Sequence, residues 1–214
     1  MKVNDNLIII NKYKDPADKF YMLLGQALSV GADVLVINDN PDFGITPDGF
    51  AVLNHDHNLG ISASRNEGIA YALDFDYDTV LFLDGDDVLE NFDEGSYLSS
   101  VALLNQPNTE TVGVLAFRNV IDAGQIKHFF FGDVFRGIIF KTQTLKDLSF
   151  ETDMDLGEDN LFMLDLAGGR LPMFWAGAYF NYVYRPRPEG LFASRDEAKL
   201  NKLYDKLDQR GYER

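Results

Sequence analysis

Three aspartates fall within four residues at Asp84-Gly85-Asp86-Asp87, directly after the apolar run Thr79-Val80-Leu81-Phe82-Leu83. Carboxylates two apart at a strand end can both turn toward one hard cation, and Mg²⁺, Mn²⁺ and Ca²⁺ take oxygen ligands of this kind. Three such charges repel one another unless a cation or hydrogen bonds compensate. Gly85 permits a tight backbone and close approach by a ligand. A polar turn capping the next segment is the competing reading, and these four residues alone leave both open. A calcium loop of the EF-hand type fails, because it needs Gly at its sixth position and Glu at its twelfth, where Leu89 and Gly95 stand. The pair His55-x-His57 has the spacing of two metal ligands on a strand. No third partner lies near it, which favours a loop or a pocket rim.

The surrounding pattern says what must hold the aspartates in place. Leu7-Ile8-Ile9-Ile10, Val34-Leu35-Val36-Ile37 and Thr79 to Leu83 are continuous apolar runs, the mark of strands buried on both faces. Phe50 to Leu53 reads as a further short strand. Pro16 opens a helix with Phe20, Leu23, Leu24, Ala27 and Leu28 on one stripe, and Gly31 ends it. Ser62 to Leu73 reads as a second helix, with Ser64-x-x-Glu67 as a capping box and Ile69, Ala70 and Leu73 on its apolar side. Strands alternating with helices imply an α/β fold with a mostly parallel central sheet and helices on both faces. Ligands of such sheets lie beyond the carboxyl ends of the strands, which here deliver Asn11, Asp39 and the aspartate cluster to one edge. Farther on, Tyr97–Leu104, Thr142–Leu148 and Leu161–Leu166 read as helices. Val112–Phe117, Ile138–Phe140 and Phe174–Tyr184 read as strands, and residues 195–209 as an amphipathic helix with Leu200, Leu203, Tyr204 and Leu207 on one side.

Two families share an apolar strand running into D-x-D. The haloacid-dehalogenase-like phosphatase motif, D-x-D-x-[T/V], is met literally by Asp84-Gly85-Asp86-Asp87-Val88, but that family usually places it on the first strand, and here three strands precede it. The wider context resembles glycosyltransferase family 2, with its Rossmann-like GT-A fold. A strand ends in Val36-Ile37-Asn38-Asp39. The pattern N-x-G-x-[S/A]-x-x-R-N-x-G follows as Asn58-Leu59-Gly60-Ile61-Ser62-Ala63-Ser64-Arg65-Asn66-Glu67-Gly68, and then comes Leu81-Phe82-Leu83-Asp84-Gly85-Asp86-Asp87. Gly137-Ile138-Ile139-Phe140-Lys141 and Gly157-Glu158-Asp159-Asn160-Leu161-Phe162 look like the family's acceptor-side and G-E-D-x-x-F segments. The likeness spans residues 7 to about 166, and weakly the loop from Tyr184 to Ser194. The chain departs from the family in three places. Asn11-Lys12-Tyr13-Lys14 stands where many members carry Pro-x-Tyr-Asn, Asn38 stands where many carry Asp, and no His follows His128.

The resemblance implies roles residue by residue. Asp84 and Asp86 would hold Mn²⁺ or Mg²⁺, with diphosphate and water completing the shell. Asp84 would also touch the sugar nucleotide, and Asp87 would either hydrogen-bond the sugar or simply cap. Asp39 looks like the residue that accepts from a uracil-type N–H, and Arg65 would approach the phosphates or base. Asp159, at a helix start where the dipole stabilises a carboxylate, looks like the catalytic base of inverting members, with Glu158 orienting it or binding acceptor. Arg185 and Arg187, in a Pro-rich loop, would close over the diphosphate or remain solvated charges. Phe129-Phe130-Phe131 and Trp175 could stack on a sugar, although core packing is the commoner fate of such rings.

Composition narrows the classes further. Among 214 residues there are 19 basic and 34 acidic side chains, a formal charge of −15, and no cysteine. That excludes a disulfide scaffold, a cysteine zinc site and a thiol nucleophile, and gives no overall attraction for nucleic acid or anionic lipid. No apolar run approaches the ~20 residues of a membrane span, and Met1 to Asn6 lacks the layout of a signal peptide, so a cytoplasmic protein is expected. With no convincing linker, residues 1–214 read as one domain: a nucleotide-sugar half over 1–90, an acceptor half over 91–194 and a C-terminal helix over 195–214. The expected activity is metal-dependent, inverting transfer of a sugar from a UDP-sugar to an acceptor hydroxyl. A glycan, a lipid-linked glycan, a protein and a modified nucleobase all remain open as acceptors. A phosphohydrolase with Asp84 as nucleophile, or a non-catalytic sugar-nucleotide-binding module, are the alternatives.

Overall fold

In the computed structural model, the first strand is β1 (Asn6–Lys12), buried at every residue after Asn6. The model describes residues 2–104, 111–122, 125–129, 135–154, 156–168, 173–184 and 197–211. Helix α1 (Ala17–Leu28) leads to β2 (Asp33–Asn38) and β3 (Ala51–Asn54), and α2 (Ile61–Asp74) leads to β4 (Thr79–Asp84). These four strands pair in the order β3-β2-β1-β4, all parallel. Beyond them come β5 (Val88–Glu90), α3 (Glu94–Leu104), β6 (Thr111–Asp122), β7 (Gln125–Phe129), β8 (Ile138–Lys141), a 3-10 turn (Thr142–Leu145), α4 (Glu158–Ala167), β9 (Met173–Tyr184) and α5 (Glu197–Gln209). They extend the same sheet as β4-β8-β6-β9-β5, with β7 on β6. Strand β8 runs antiparallel to β4, while β6 and β9 are parallel.

The continuous apolar runs are explained by two cores. Ile8, Ile10, Val34, Val36, Leu81 and Leu83 pack on one face with Phe20 and Leu23 of α1 and Tyr97 and Val101 of α3. Leu7, Ile9, Leu35, Ile37, Val80 and Phe82 pack on the other with Ile69 and Ala72 of α2 and Phe162 of α4. Each strand residue therefore leaves water whichever way it points, and alternation disappears. Helix α2 lies so close to the sheet that a Cβ on Gly68 would sit 2.9 Å from Ile9 Cδ1 and 3.1 Å from Phe82 Cε1.

Several local expectations are corrected. Helix α2 begins at Ile61, behind Gly60. Ser64 is thus inside the helix, where its hydroxyl donates to the Gly60 carbonyl at 3.2 Å, and Glu67 bonds His55 instead of closing a capping box. Ala72 is buried on the core side of α2 and Ala70 is exposed. The buried stripe of α1 stops at Ala27, since Leu28 is exposed. The hairpin β6–β7 and the short β5 were not expected. Strand β5 is three residues long and is held by antiparallel pairing to β9. Its partner is remote in the sequence, and so short a segment carries no period of its own.

Candidate functional site

Parallel register places the acid motif. Asn11 at the end of β1 pairs with Ile37 on one side and with Asp84 on the other. Side chains at every second position share a face, so Asn11, Asp39 and Asp84 continue the rows that bury Leu7 and Ile9, Leu35 and Ile37, and Val80 and Phe82 under α2. Arg65, one turn before Gly68, lies over the same edge. Its guanidinium is only 2% exposed and packs beside a pair of touching rings, 5.3 Å from Phe135 and 5.2 Å from Phe150.

Arg65 joins the two halves of the predicted site. Its Nη1 donates to Asp159, 94 residues away, and lies 3.6 Å from Glu158, while Nη2 lies 3.6 Å from Asp84. Burial opposes its charge, but Asp159 and then Asp84 outweigh that and hold the guanidinium above its ordinary value. Glu158 is pushed up, first by burial and then by the Asp159 charge, with Arg65 opposing. Asp159 and Glu158 form the first turn of α4, which starts behind Gly157 in the left-handed conformation, φ +80°. A side chain there would be strained, and its Cβ would lie 2.7 Å from Leu203 of α5. Helix α5 has no fully buried residue. It is also held by charge: Lys206 to Glu151 at 2.9 Å, Arg210 to Asp165 at 3.1 Å and Lys202 to Asp153 at 3.3 Å.

The acid motif is itself a built turn. Asp87 accepts from the Asp84 amide at 2.8 Å and from the Tyr182 hydroxyl at 2.7 Å. Burial, and next to it the neighbouring Asp84 charge, push the Asp87 carboxyl up to about 6 against the pull of Arg136. Arg136 donates to Asp84 at 2.6 Å and reaches Asp87 at 3.4 Å. Asp86 is half-buried beside them.

The sequence resemblance implies a divalent cation beside these residues. Asp84 Oδ1 is buried and accepts no hydrogen bond, as are both amide atoms of Asn11 and the hydroxyl of Ser62. The Asp84 oxygen, 3.6 Å from Arg65 Nη2, is the atom that a hard cation would take. Among the described residues no group of three or more His, Cys, Asp or Glu side chains is placed to hold a metal ion, so Asp84 and Asp86 would hold such a cation only with ligand oxygens completing its shell.

Asp39 is engaged differently from its expected partner. It accepts from the amides of Leu59 at 2.7 Å and Gly60 at 2.9 Å, and meets His55 Nδ1 at 2.8 Å. His55 Nε2 meets Glu67 at 2.7 Å. Burial alone would lower the His55 pKa, but the hydrogen bonds and charges of Asp39 and Glu67 raise it. Asp39 thereby ties the end of β2 to the loop that launches α2. Beside it opens a cavity of about 350 Å³ lined by Asn38, Pro41, Phe43, Gly44, Ile45, Asn54, His55 and Asp56. His55 is thus on a pocket rim, whereas the Asp84, Arg65 and Asp159 side chains do not line this cavity. Arg185, Arg187, Phe130 and Phe131 lie outside the described residues, as do the side chains of Phe129 and Trp175.

Sequence reasoning missed Arg136, Tyr182 and Lys12. Continuing the antiparallel register of Thr79 with Lys141 and Leu81 with Ile139 brings Arg136 opposite Asp84. The direction of β8 was the signal needed. Lys12 is buried, donates to the carbonyls of Tyr13 at 2.7 Å and Asp15 at 3.1 Å, and lies 4.4 Å from the Phe43 ring centre. Burial lowers its pKa, with Asp15 opposing.

No protein-family model matches the chain, and no curated protein matches it. Solved structures do. The structure of S. aureus TarS superposes with a TM-score of 0.64 at 18% identity, covering 88% of this chain and 37% of that one. The chain therefore spans little more than a third of TarS. CMP:2-keto-3-deoxy-manno-octonic acid synthetase complexed with CTP aligns more loosely, with a TM-score of 0.47 at 14% identity over 96% of this chain and 99% of that one. Rv0371c from Mycobacterium tuberculosis H37Rv gives 0.44 at 13% over 87% and 91%. The fold is the GT-A-like α/β arrangement, a parallel sheet β3-β2-β1-β4 flanked by helices and extended by mixed strands. Among the described residues no helix is long and apolar enough to cross a membrane.

Proposed function

We propose that the chain is a nucleotide-sugar-dependent glycosyltransferase that uses Mn²⁺ or Mg²⁺ at Asp84 and Asp86 and a UDP-sugar as donor. The observation that carries this reading is the buried Arg65, whose single guanidinium faces both Asp84 of the acid motif and Asp159 and Glu158 of α4. A donor-side carboxylate and a base candidate are thereby fixed to one cation at the carboxyl edge of the sheet, where ligands of such folds bind. When bound, the cation would neutralise charge growing on the departing diphosphate. Asp159 accepts the proton of the acceptor hydroxyl as its oxygen attacks the anomeric carbon, opposite the leaving diphosphate, so configuration inverts. Arg65 orients the Asp159 carboxylate, and Glu158, 3.6 Å from the same guanidinium, orients Asp159 or binds the acceptor. The cavity beside Asp39 is large enough for a nucleobase, and Arg185 and Arg187 are assigned to the diphosphate.

The test is a panel of nucleotide sugars with Mn²⁺, read as release of nucleoside diphosphate. Asp86→Ala is expected to abolish release with folding intact. Asp159→Asn is expected to lower the rate about 10²–10⁴-fold while UDP binding persists. Release unchanged in Asp159→Asn refutes the base assignment. Release of inorganic phosphate from simple phosphoesters, with no donor cleaved, refutes the transferase.

A further inference from the structure

We propose that Arg136 is a donor-binding residue that couples cation and diphosphate at the acid motif. It holds the Asp84 carboxylate in the absence of donor, opposes a lone divalent cation there, and binds the donor's diphosphate once both are present. This rests on the reading above. Arg136 Nη1 lies 2.6 Å from Asp84 Oδ2, and Arg65 Nη2 lies 3.6 Å from Asp84 Oδ1. Oδ1 accepts no hydrogen bond and is the oxygen left for a cation. A divalent ion taking it enters between two guanidinium charges and is repelled by both. A diphosphate removes that repulsion, because its oxygens pair with the cation and with a guanidinium fork together.

The mount of Arg136 is suited to this task. Its guanidinium lies 5.9 Å from the Tyr182 ring centre and reaches Asp87 at 3.4 Å. Asp87 is in turn fixed by the Tyr182 hydroxyl and the Asp84 amide. Arg136 is therefore anchored from the side while its 19% exposure keeps it within reach of a ligand. Coupling of this kind is reciprocal: whatever UDP adds to Mn²⁺ affinity, Mn²⁺ adds to UDP affinity.

The experiment measures Mn²⁺ binding by the electron paramagnetic resonance signal of the free ion, and UDP binding by calorimetry, in wild type, Arg136→Gln and Arg136→Lys. In Arg136→Gln, Mn²⁺ alone is expected to bind about fivefold or more tightly and UDP with Mn²⁺ about fivefold or more weakly, so the coupling factor falls. In Arg136→Lys the charge remains and the fork is lost: Mn²⁺ alone binds as in wild type, and UDP binds more weakly. Arg136→Gln with wild-type coupling overturns the role of Arg136 and leaves the transferase reading standing. Should Arg136→Gln not fold by circular dichroism, Arg136→Lys decides, and unchanged UDP affinity there overturns the proposal. Wild-type protein that binds neither Mn²⁺ nor UDP overturns the transferase reading and this inference together.

Discussion

Arg65→Met isolates the charge that joins the two halves of the site. Methionine keeps much of the packing beside Phe135 and Phe150 but leaves Asp84, Glu158 and Asp159 without their shared counter-charge. Removing one partner of a buried ion pair costs about 3–5 kcal/mol. The three carboxylates are 23%, 13% and 18% exposed, so solvent takes up part of the loss and the low end applies, about 3 kcal/mol. Loss of the ring contacts adds about 0.5–1 kcal/mol. Against a typical stability of about 5–15 kcal/mol the variant still folds. With a urea slope of about 2 kcal/mol/M, the midpoint falls by about 1.5–2 M. Urea unfolding followed by far-UV circular dichroism reads this directly. The sign of the pH dependence follows from the carboxylates. Burial and then the Asp159 charge hold the Glu158 carboxyl above its ordinary value with Arg65 opposing, so without Arg65 it takes up a proton more readily and the deficit shrinks as pH falls. A midpoint within about 0.5 M of wild type near neutral pH, or a deficit indifferent to pH, would refute the claim that Arg65 holds the site by charge.

Other perturbations follow from the same geometry. Gly68→Ala drives a methyl into Ile9 and Phe82 and is expected to cost about 1–3 kcal/mol, seen as a lowered melting temperature. Gly157→Ala meets both a left-handed backbone and Leu203. It should loosen α5 and misplace the Glu158–Asp159 turn, lowering transfer more than UDP affinity, and equal losses in both would contradict this. His55 has a raised pKa in the folded chain, so its stabilising contribution is complete below the unfolded value of about 6.5 and is lost as pH rises through the folded value. Thermal melts of wild type and His55→Gln should accordingly differ most at acid pH and converge at alkaline pH.

Residues 7 to 87 disclosed much of the architecture on their own. Ile8 to Ile10, Val34 to Ile37 and Val80 to Leu83 read as strands covered on both faces, because such runs are short, rich in β-branched residues and free of any helical period. The polar residues that end each run, Asn11, Asp39 and Asp84, had to share one edge, because parallel strands carry their carboxyl ends together. Asp159 stood out only through a motif likeness. Its ion pair with Arg65 depends on how α4 packs, and no local pattern encodes a contact 94 residues long.

Tertiary structure decided which charges meet. Asp39 was legible as a strand-end acid, yet its oxygens go to the Leu59 and Gly60 amides and to His55, because the loop before α2 folds back over β2. The sequence from Ile138 to Lys141 reads as a strand in either direction, since side-chain alternation is indifferent to polarity. Only the antiparallel pairing of β8 with β4 sets Arg136 against Asp84, and only the pairing of β5 with β9 brings Tyr182 to Asp87. Local sequence thus determined the strands and the acids at their tips. The long-range pairing of the second half determined the cations that neutralise them, because strand direction is chosen by burial across the whole sheet and by no residue alone.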